Sequence, residues 1–400
     1  MLTSLALIFL VGLAMASICQ KIKLPRIIGM LLTGIVLGPY VLDALDSSIL
    51  SISAELREIA LIIILIKAGL SLNLADLKKV GRPAILMSFV PALFEILAFV
   101  LFAPMLLGMS LIESLLMGAI LGAVSPAVVV PKMVHLMDIK QGTKKSIPQL
   151  ILAGASLDDV FVIVLFSTFL SLAGGEAVSM MSLFNIPISI VLGIFVGVVF
   201  GFILSWYFEL KFSRQHYIRN STKVIIVLAV SFLLISLENA LEGVVSMSGL
   251  LAVMSMAIVI QMKSIPIVIV RLKDKFGKLW IAAEVILFVL VGAVVDIRYT
   301  LDAGLVAIAM IFIALAFRSV GVWISLLGTN LNFKERMFCI IAYLPKATVQ
   351  AAIGSVPLAA GLPCGNLVLS ISVLSILLTA PLGAIGIDCS YRKLLTKDEL

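Results

Sequence analysis

The sequence predicts an all-α, polytopic membrane protein of about 13 transmembrane helices, amino terminus outside and carboxyl terminus in the cytoplasm. It predicts an inverted repeat built around two crossed, broken helices. Three observations carry this. Of 400 residues, 62% are hydrophobic and only 13% charged, with a mean hydropathy of +1.24, whereas a soluble domain carries about 25% charged residues. The basic residues crowd onto alternate connections between apolar stretches. Two of those stretches, seven apart in order, are interrupted by proline.

A helix needs about 20 apolar residues to cross the hydrocarbon. On that measure spans are expected near 2–19, 27–42, 59–75, 83–107, 111–131, 147–173, 182–207, 224–237, 243–262, 279–295, 303–328, 337–358 and 367–387. The first charged residue, Lys21, follows the first apolar run, whereas a signal peptide carries its basic residues ahead of it. The first segment therefore reads as a retained helix.

Of the 29 basic residues, 24 fall on alternate connections, beginning with "QKIKLPR" and including Lys78, Lys79, Arg214 and Lys397. The opposite connections hold only Arg57 and Arg298, and Lys67, Arg318 and Lys346 lie inside spans. Cytoplasmic loops carry the Lys/Arg excess, which sets the orientation. The formal charge of +7 is thus a matter of topology, since no basic cluster of the kind that binds nucleic acid is present. The four cysteines have no paired or metal-ligand spacing, and His135 and His216 sit in basic loops. No cofactor is expected.

Span 5 reads "GAILGAVSPAVVVPKM", with Pro126 and Pro131; span 12 reads "IAYLPKATVQAAIGSVP", with Pro345, Gly354 and Pro357. Proline removes an intrahelical hydrogen bond and clashes with the preceding turn, so the backbone is expected to unwind near Ser125 and Lys346. Freed backbone groups at that depth persist only where protein or a water-filled cavity satisfies them. An odd offset of seven spans makes the two segments cross in opposite directions, as interrupted helices of inverted repeats do when their ends form an ion site. Ser125, Pro126, Pro345 and Thr348 become candidate helix-break positions and ion ligands.

Four acids lie in spans, Glu95, Asp158, Asp159 and Glu284, against the three buried bases. Near-balance is expected where intramembrane charges pair. Glu95 and Arg318 occupy corresponding depths in the two halves and are expected to face each other. Lys67 is expected to snorkel or pair locally, and Glu284 to reach the interface. Lys346, on the second break, would compensate helix C-terminal dipole ends or pair with Asp158.

The run "GASLDDVFVIVLF" places Asp158 and Asp159 side by side in mid-span. A carboxylate at bilayer depth costs about 2.5 kcal/mol or more, so two adjacent ones imply use. Successive helical residues point about 100° apart, which excludes a facing protease dyad; one acid should meet an ion and the other a cation or solvent. A buried carboxylate that either holds a proton or offers a hard oxygen ligand is what sodium-for-proton exchange requires.

At these residues the chain resembles the monovalent cation/proton antiporter superfamily, closest to its NHA branch of sodium/proton antiporters. The similar stretches are "LGAVSPAVVVP" (121–131), "SLDDVFVI" (156–163), "LFVLVGA" (287–293) and "YLPKATVQAAIGSVPL" (343–358). The resemblance implies a homodimer in the lipid bilayer, with Na⁺ or Li⁺ and H⁺ as substrates. It implies that core helices at 83–173 and 298–387 slide like an elevator against dimerisation helices at 1–82 and 223–297, joined by a linker helix at 174–222 and followed by a short tail at 388–400. It implies Asp159 as the principal cation and proton carrier with Asp158 beside it, Glu95 as partner of Arg318, and Lys346 as a compensating charge. One departure is Val294 in "VGAVVDI", where members of the branch carry an acid that partners the lysine; without it, Lys346 is expected to turn toward Asp158.

The first reading is therefore an alkali-cation/proton antiporter in a plasma (inner) membrane of bacterial type, and not an enzyme. Were two protons to enter per cation, the membrane potential would contribute about 2.3 kcal/mol per 100 mV. Sodium-coupled uptake of an organic anion would want arginines lining a larger cavity, which the sequence lacks. An intramembrane hydrolase would need acids on separate helices or a Ser/His pair, and neither histidine lies in a span. A potassium-efflux channel would want a nucleotide-binding tail.

Overall fold

The computed structural model describes residues 1–71, 80–174, 180–213, 219–241, 247–296 and 304–396. Lys78, Lys79, Arg214, His216, Arg298 and Lys397, placed in connections by the sequence, lie outside the described residues. The regular structure among the described residues is helical. Among the described residues eight helical stretches are long and apolar enough to cross a membrane, and the expected spans that fall short are the ones broken, short or charged.

The chain divides into two compact units. The first comprises Met1–Arg57, Asn73–Gly174 and Val285–Leu400; the second comprises Glu58–Leu72 and Gly175–Glu284. The first opens with α1 (Leu2–Lys21) packed on α2 (Arg26–Leu37), followed by the short α3 (Ser47–Ser51). The expected span at 83–107 is two helices, α5 (Arg82–Met87) and α6 (Val90–Leu107). Pro91 stands in the first turn of α6, where its missing N–H has no intrahelical role to lose.

α7 (Leu111–Leu121) starts on a capping box in which the Ser110 hydroxyl accepts from Glu113 N and the Glu113 carboxylate from Ser110 N. It stops before the non-helical run at 122–125. The chain resumes as α8 (Pro126–Asp138), with Pro126 in its first turn. Pro131, expected to help break this span, lies inside α8 instead. One proline at a helix start is enough, because the first-turn position tolerates it and the residue ahead is pushed out of helical geometry. α9 (Ile147–Ala173) carries the aspartate pair and packs against α5, α7 and α8.

The second break mirrors the first. α14 (Gly304–Ser325) packs along α6. α15 (Phe333–Ala342) opens on a capping box of Asn332 and Glu335 and ends at Tyr343. The chain continues as α16 (Thr348–Gly354) and α17 (Val356–Ala359). α18 (Gly365–Leu394) packs on α15, α16, α17 and α8. It extends seven residues into the stretch expected as tail, and Leu395 beyond it is buried.

In the second unit, α12 (Gly249–Lys263) packs against α10 (Met180–Ser213) and α11 (Asn220–Leu241). α13 (Pro266–Ala293) begins 13 residues before the expected span. Arg271, Lys273, Lys275 and Lys278, read from the sequence as loop residues, therefore ride on a helix: nothing between Pro266 and Leu279 breaks one. Arg57 likewise belongs to α4 (Ser53–Ser71) rather than to a connection. Lys67, also on α4, lies over the ring of Trp280 at 5.5 Å and feels the charge of Glu284.

Candidate functional site

The site lies within the first unit, where the two breaks cross. Ser125 N donates to Pro345 O at 2.8 Å, tying one unwound stretch to the other. Close approach is bought by glycine on either side. A Cβ on Gly383 of α18 would stand 2.2 Å from the Pro345 ring, and one on Gly154 of α9 would stand 2.0 Å from the Tyr343 hydroxyl.

A helix leaves its last four carbonyls without intrahelical partners. At the end of α7, carbonyls 120 to 123 are each met by a side chain from the other half of the chain. Gln350 Nε2 donates to Ile120 O at 3.3 Å and to Ala123 O at 2.8 Å. Lys346 Nζ donates to Leu121 O, and Arg318 Nη1 to Gly122 O. Positive charge at a helix C-terminus is favoured by its dipole, so the broken backbone itself gives the buried cations a place.

Arg318 is fully buried. Its Nη1 also meets Glu95 Oε2 at 2.9 Å, its Nη2 donates to Asp158 Oδ2 at 3.0 Å, and its Nε donates to Tyr343 O at 2.7 Å. Such saturation is what a buried guanidinium needs to offset its desolvation. The Tyr343 ring stacks on it at 5.5 Å. Lys346 Nζ pairs with Glu95 Oε2 at 2.5 Å. The expectation that Lys346 would turn toward Asp158 is thereby corrected: among the described residues its ion pair is Glu95. Arg318, whose fork can serve two carboxylates at once, holds Asp158. Asp158 Oδ2 accepts in addition from Val124 N at 2.8 Å.

Asp159 differs from its neighbour. It is buried, at 5% exposure, and among the described residues no basic side chain lies within ion-pair distance of it. Asp159 Oδ1, Asp158 Oδ1, Ser125 Oγ, Thr348 Oγ1 and the Tyr343 hydroxyl are all buried without a hydrogen-bond partner among the described residues. These unmet buried oxygens lie on three elements that meet at the crossing, and oxygen is the ligand type that a hard cation takes.

Sequence reasoning missed three residues here. Gln350 and Thr379, whose hydroxyl accepts from Lys346 N at 2.9 Å, sit in apolar stretches where a polar group must find partners. Tyr343 was passed over as part of an apolar run. The capping boxes at 110–113 and 332–335, placed alike ahead of the two breaks, were a further readable sign of the repeat.

Residues 5–388 match the family model described as "Sodium/hydrogen exchanger, transmembrane". The chain belongs to the sodium/hydrogen exchanger family. It is similar to sodium/hydrogen exchanger 9B2 of Xenopus tropicalis, 33% identical over 99% of this chain and 75% of that protein. It is 33% identical to the Homo sapiens 9B2 protein over 94% of this chain and 71% of the relative, and 31% identical to Homo sapiens 9B1 over 94% and 73%. Its fold matches that of the sodium proton antiporter MjNhaP1 from Methanocaldococcus jannaschii at pH 8, with a TM-score of 0.83, 24% identity and coverage of 98% and 97% of the two chains. The exchanger is an integral, multi-pass membrane protein with the antiporter fold. It is a cation/proton antiporter rather than an enzyme.

Proposed function

We propose that this exchanger carries sodium or lithium out against protons at Asp159, with Asp158, Ser125 and Thr348 as neighbouring oxygens. The observation that carries this reading is the contrast between adjacent acids: Asp158 is engaged by Arg318, whereas Asp159 has no cation within ion-pair distance among the described residues. A carboxylate so placed holds a proton or a cation but not both, and competition between the two at one group is the exchange.

The charges at the crossing also bear on stoichiometry. Glu95, Asp158 and Asp159 stand against Arg318 and Lys346, leaving one negative charge for one alkali ion or one proton to neutralise. Lys346 is ion-paired to Glu95 and bonded to Leu121 O, which supports a cycle in which Asp159 alone exchanges its proton, one for each cation.

For transport, the core at 83–173 and 298–387 would move as an elevator against 1–82 and 223–297 of a homodimer in the bilayer. The positive-inside distribution supports an external amino terminus, and the membrane we propose is a plasma membrane of bacterial type. The test is cation-evoked proton flux in proteoliposomes with sodium, lithium and potassium in turn. Asp159→Asn should abolish exchange, and full activity in that variant removes the carrier. Turnover in sealed liposomes should be indifferent to an imposed potential; acceleration by voltage overturns the one-for-one cycle.

A further inference from the structure

Of the three side chains that close the end of α7, two are the cations of the site. The third, Gln350, is neutral and has no part in the exchange described above. It is wholly buried. Its hydrogen-bonding groups are all in use: the two Nε2 hydrogens reach Ile120 O and Ala123 O, and Oε1 accepts from Ala347 N at 2.8 Å. One amide thus joins the carbonyl end of α7 to the amide end of α16.

The position of this link matters more than its strength. Ser125 lies two residues beyond Ala123, and Thr348 two residues before Gln350. Both hydroxyls are buried and unpartnered. The chain therefore carries an unsatisfied oxygen just past each end of the Gln350 bridge, on the two segments the bridge holds together. A lysine could cap the same carbonyls but would add charge beside Asp159. A glutamate would set acceptor against acceptor. An amide closes both backbone ends and leaves the electrostatics unchanged.

We infer that Gln350 is a positioning residue that determines cation selectivity: by holding α7 to α16 it fixes how far apart the Ser125 and Thr348 oxygens stand. Discrimination among hard cations depends on cavity size, ligand number and rigidity, and Gln350 supplies the rigidity. The inference rests on the reading of Asp159 as carrier with Ser125 and Thr348 beside it.

The experiment uses the full chain, purified and reconstituted, with Gln350→Met (similar length, no amide) and Gln350→Leu (neutral, no amide). Apparent KM and maximal rate are measured for lithium, sodium and potassium, with a melting midpoint for each variant. In both variants the spread of KM across the three ions should narrow by about fivefold, a factor of the size commanded by one buried hydrogen bond, while the maximal rate stays within about threefold. Rescue comes from the wild-type amide alone. A merely structural role would lower the melting midpoint and maximal rate with the spread intact, and that result overturns the inference; so does a wild type with no spread to narrow. If Gln350→Met does not fold, Gln350→Leu decides. Asp159→Asn in the same liposomes separates the two levels: exchange persisting there defeats the carrier reading, whereas an inactive Asp159→Asn with unchanged selectivity in the Gln350 variants defeats this inference alone.

Discussion

The two interrupted helices begin alike and are closed differently. Each opens on a capping box, runs for about three turns and stops at a short non-helical stretch. At the first break the bare carbonyls of α7 receive donors that come from far along the chain: Arg318, Lys346 and Gln350. The second break is the giver. It supplies Lys346 and Gln350, and its own groups are met by Arg318 Nε at Tyr343 O, by Thr379 at Lys346 N, and by Gln350 at Ala347 N. Negative partial charge collects at the first break, together with Glu95 and Asp158, and positive charge arrives from the second half to meet it. The result is a nearly closed circuit of ion pairs from which Asp159 is left out.

Arg318 meets groups of both breaks and two carboxylates besides, so its loss should blur the distinction between them most. Among the described residues, Arg318→Met takes the one cation from Asp158 and one of the two from Glu95, and strands the Gly122 and Tyr343 carbonyls. Removing one partner of a buried ion pair costs about 3–5 kcal/mol, and the expected outcome is a steep fall in melting midpoint together with loss of exchange. Lys346→Met strikes the first break alone, removing the Leu121 cap and one of the two cations on Glu95. Arg318 still holds that carboxylate, so a smaller loss is expected, about 2 kcal/mol. A double-mutant cycle of Lys346→Met with Glu95→Gln should show a coupling of about 1–3 kcal/mol; the same cycle of Lys346→Met with Asp158→Asn should show much less, since those two side chains are not paired here. Equal couplings would mean that Lys346 divides itself between the acids.

Much of this was legible in the sequence, and what was not has a physical cause. Pro126 and Pro345 disclosed the breaks because proline forbids a regular helix at identifiable positions. Asp158 and Asp159 disclosed the site because charge at membrane depth is costly. Depth is readable from position along a span, which is why Glu95 and Arg318 could be matched across halves. Direction around the helix axis is not readable once the backbone unwinds, because the 100° step no longer applies. That is why the partner of Lys346, four residues before Gln350 and on the unwound stretch itself, was left open between helix carbonyl ends and Asp158, and its pairing with Glu95 was not foreseen. Helix length on the basic side, as in α13, was missed because hydropathy marks where apolar sequence ends, not where a helix ends.

The weakest perturbations sharpen the comparison from the other side. Thr379→Val removes the acceptor of Lys346 N and leaves every side-chain ion pair in place. A buried amide without its partner costs about 1–3 kcal/mol, and a smaller net loss near 1 kcal/mol is expected if the local backbone relaxes; exchange should persist. Lys67, in the second unit, gives the limiting case of a cation inside a span that has no broken helix end to cap. It lies over Trp280 and close to the charge of Glu284, contacts worth about 0.5–1 kcal/mol where solvent reaches them. Lys67→Met should therefore shift the melting midpoint by a few degrees at most and leave sodium and lithium KM unchanged in proteoliposomes. A large transport defect in that variant would show that buried charge serves exchange away from the crossing as well, and the link drawn here between broken backbone and functional charge would fail.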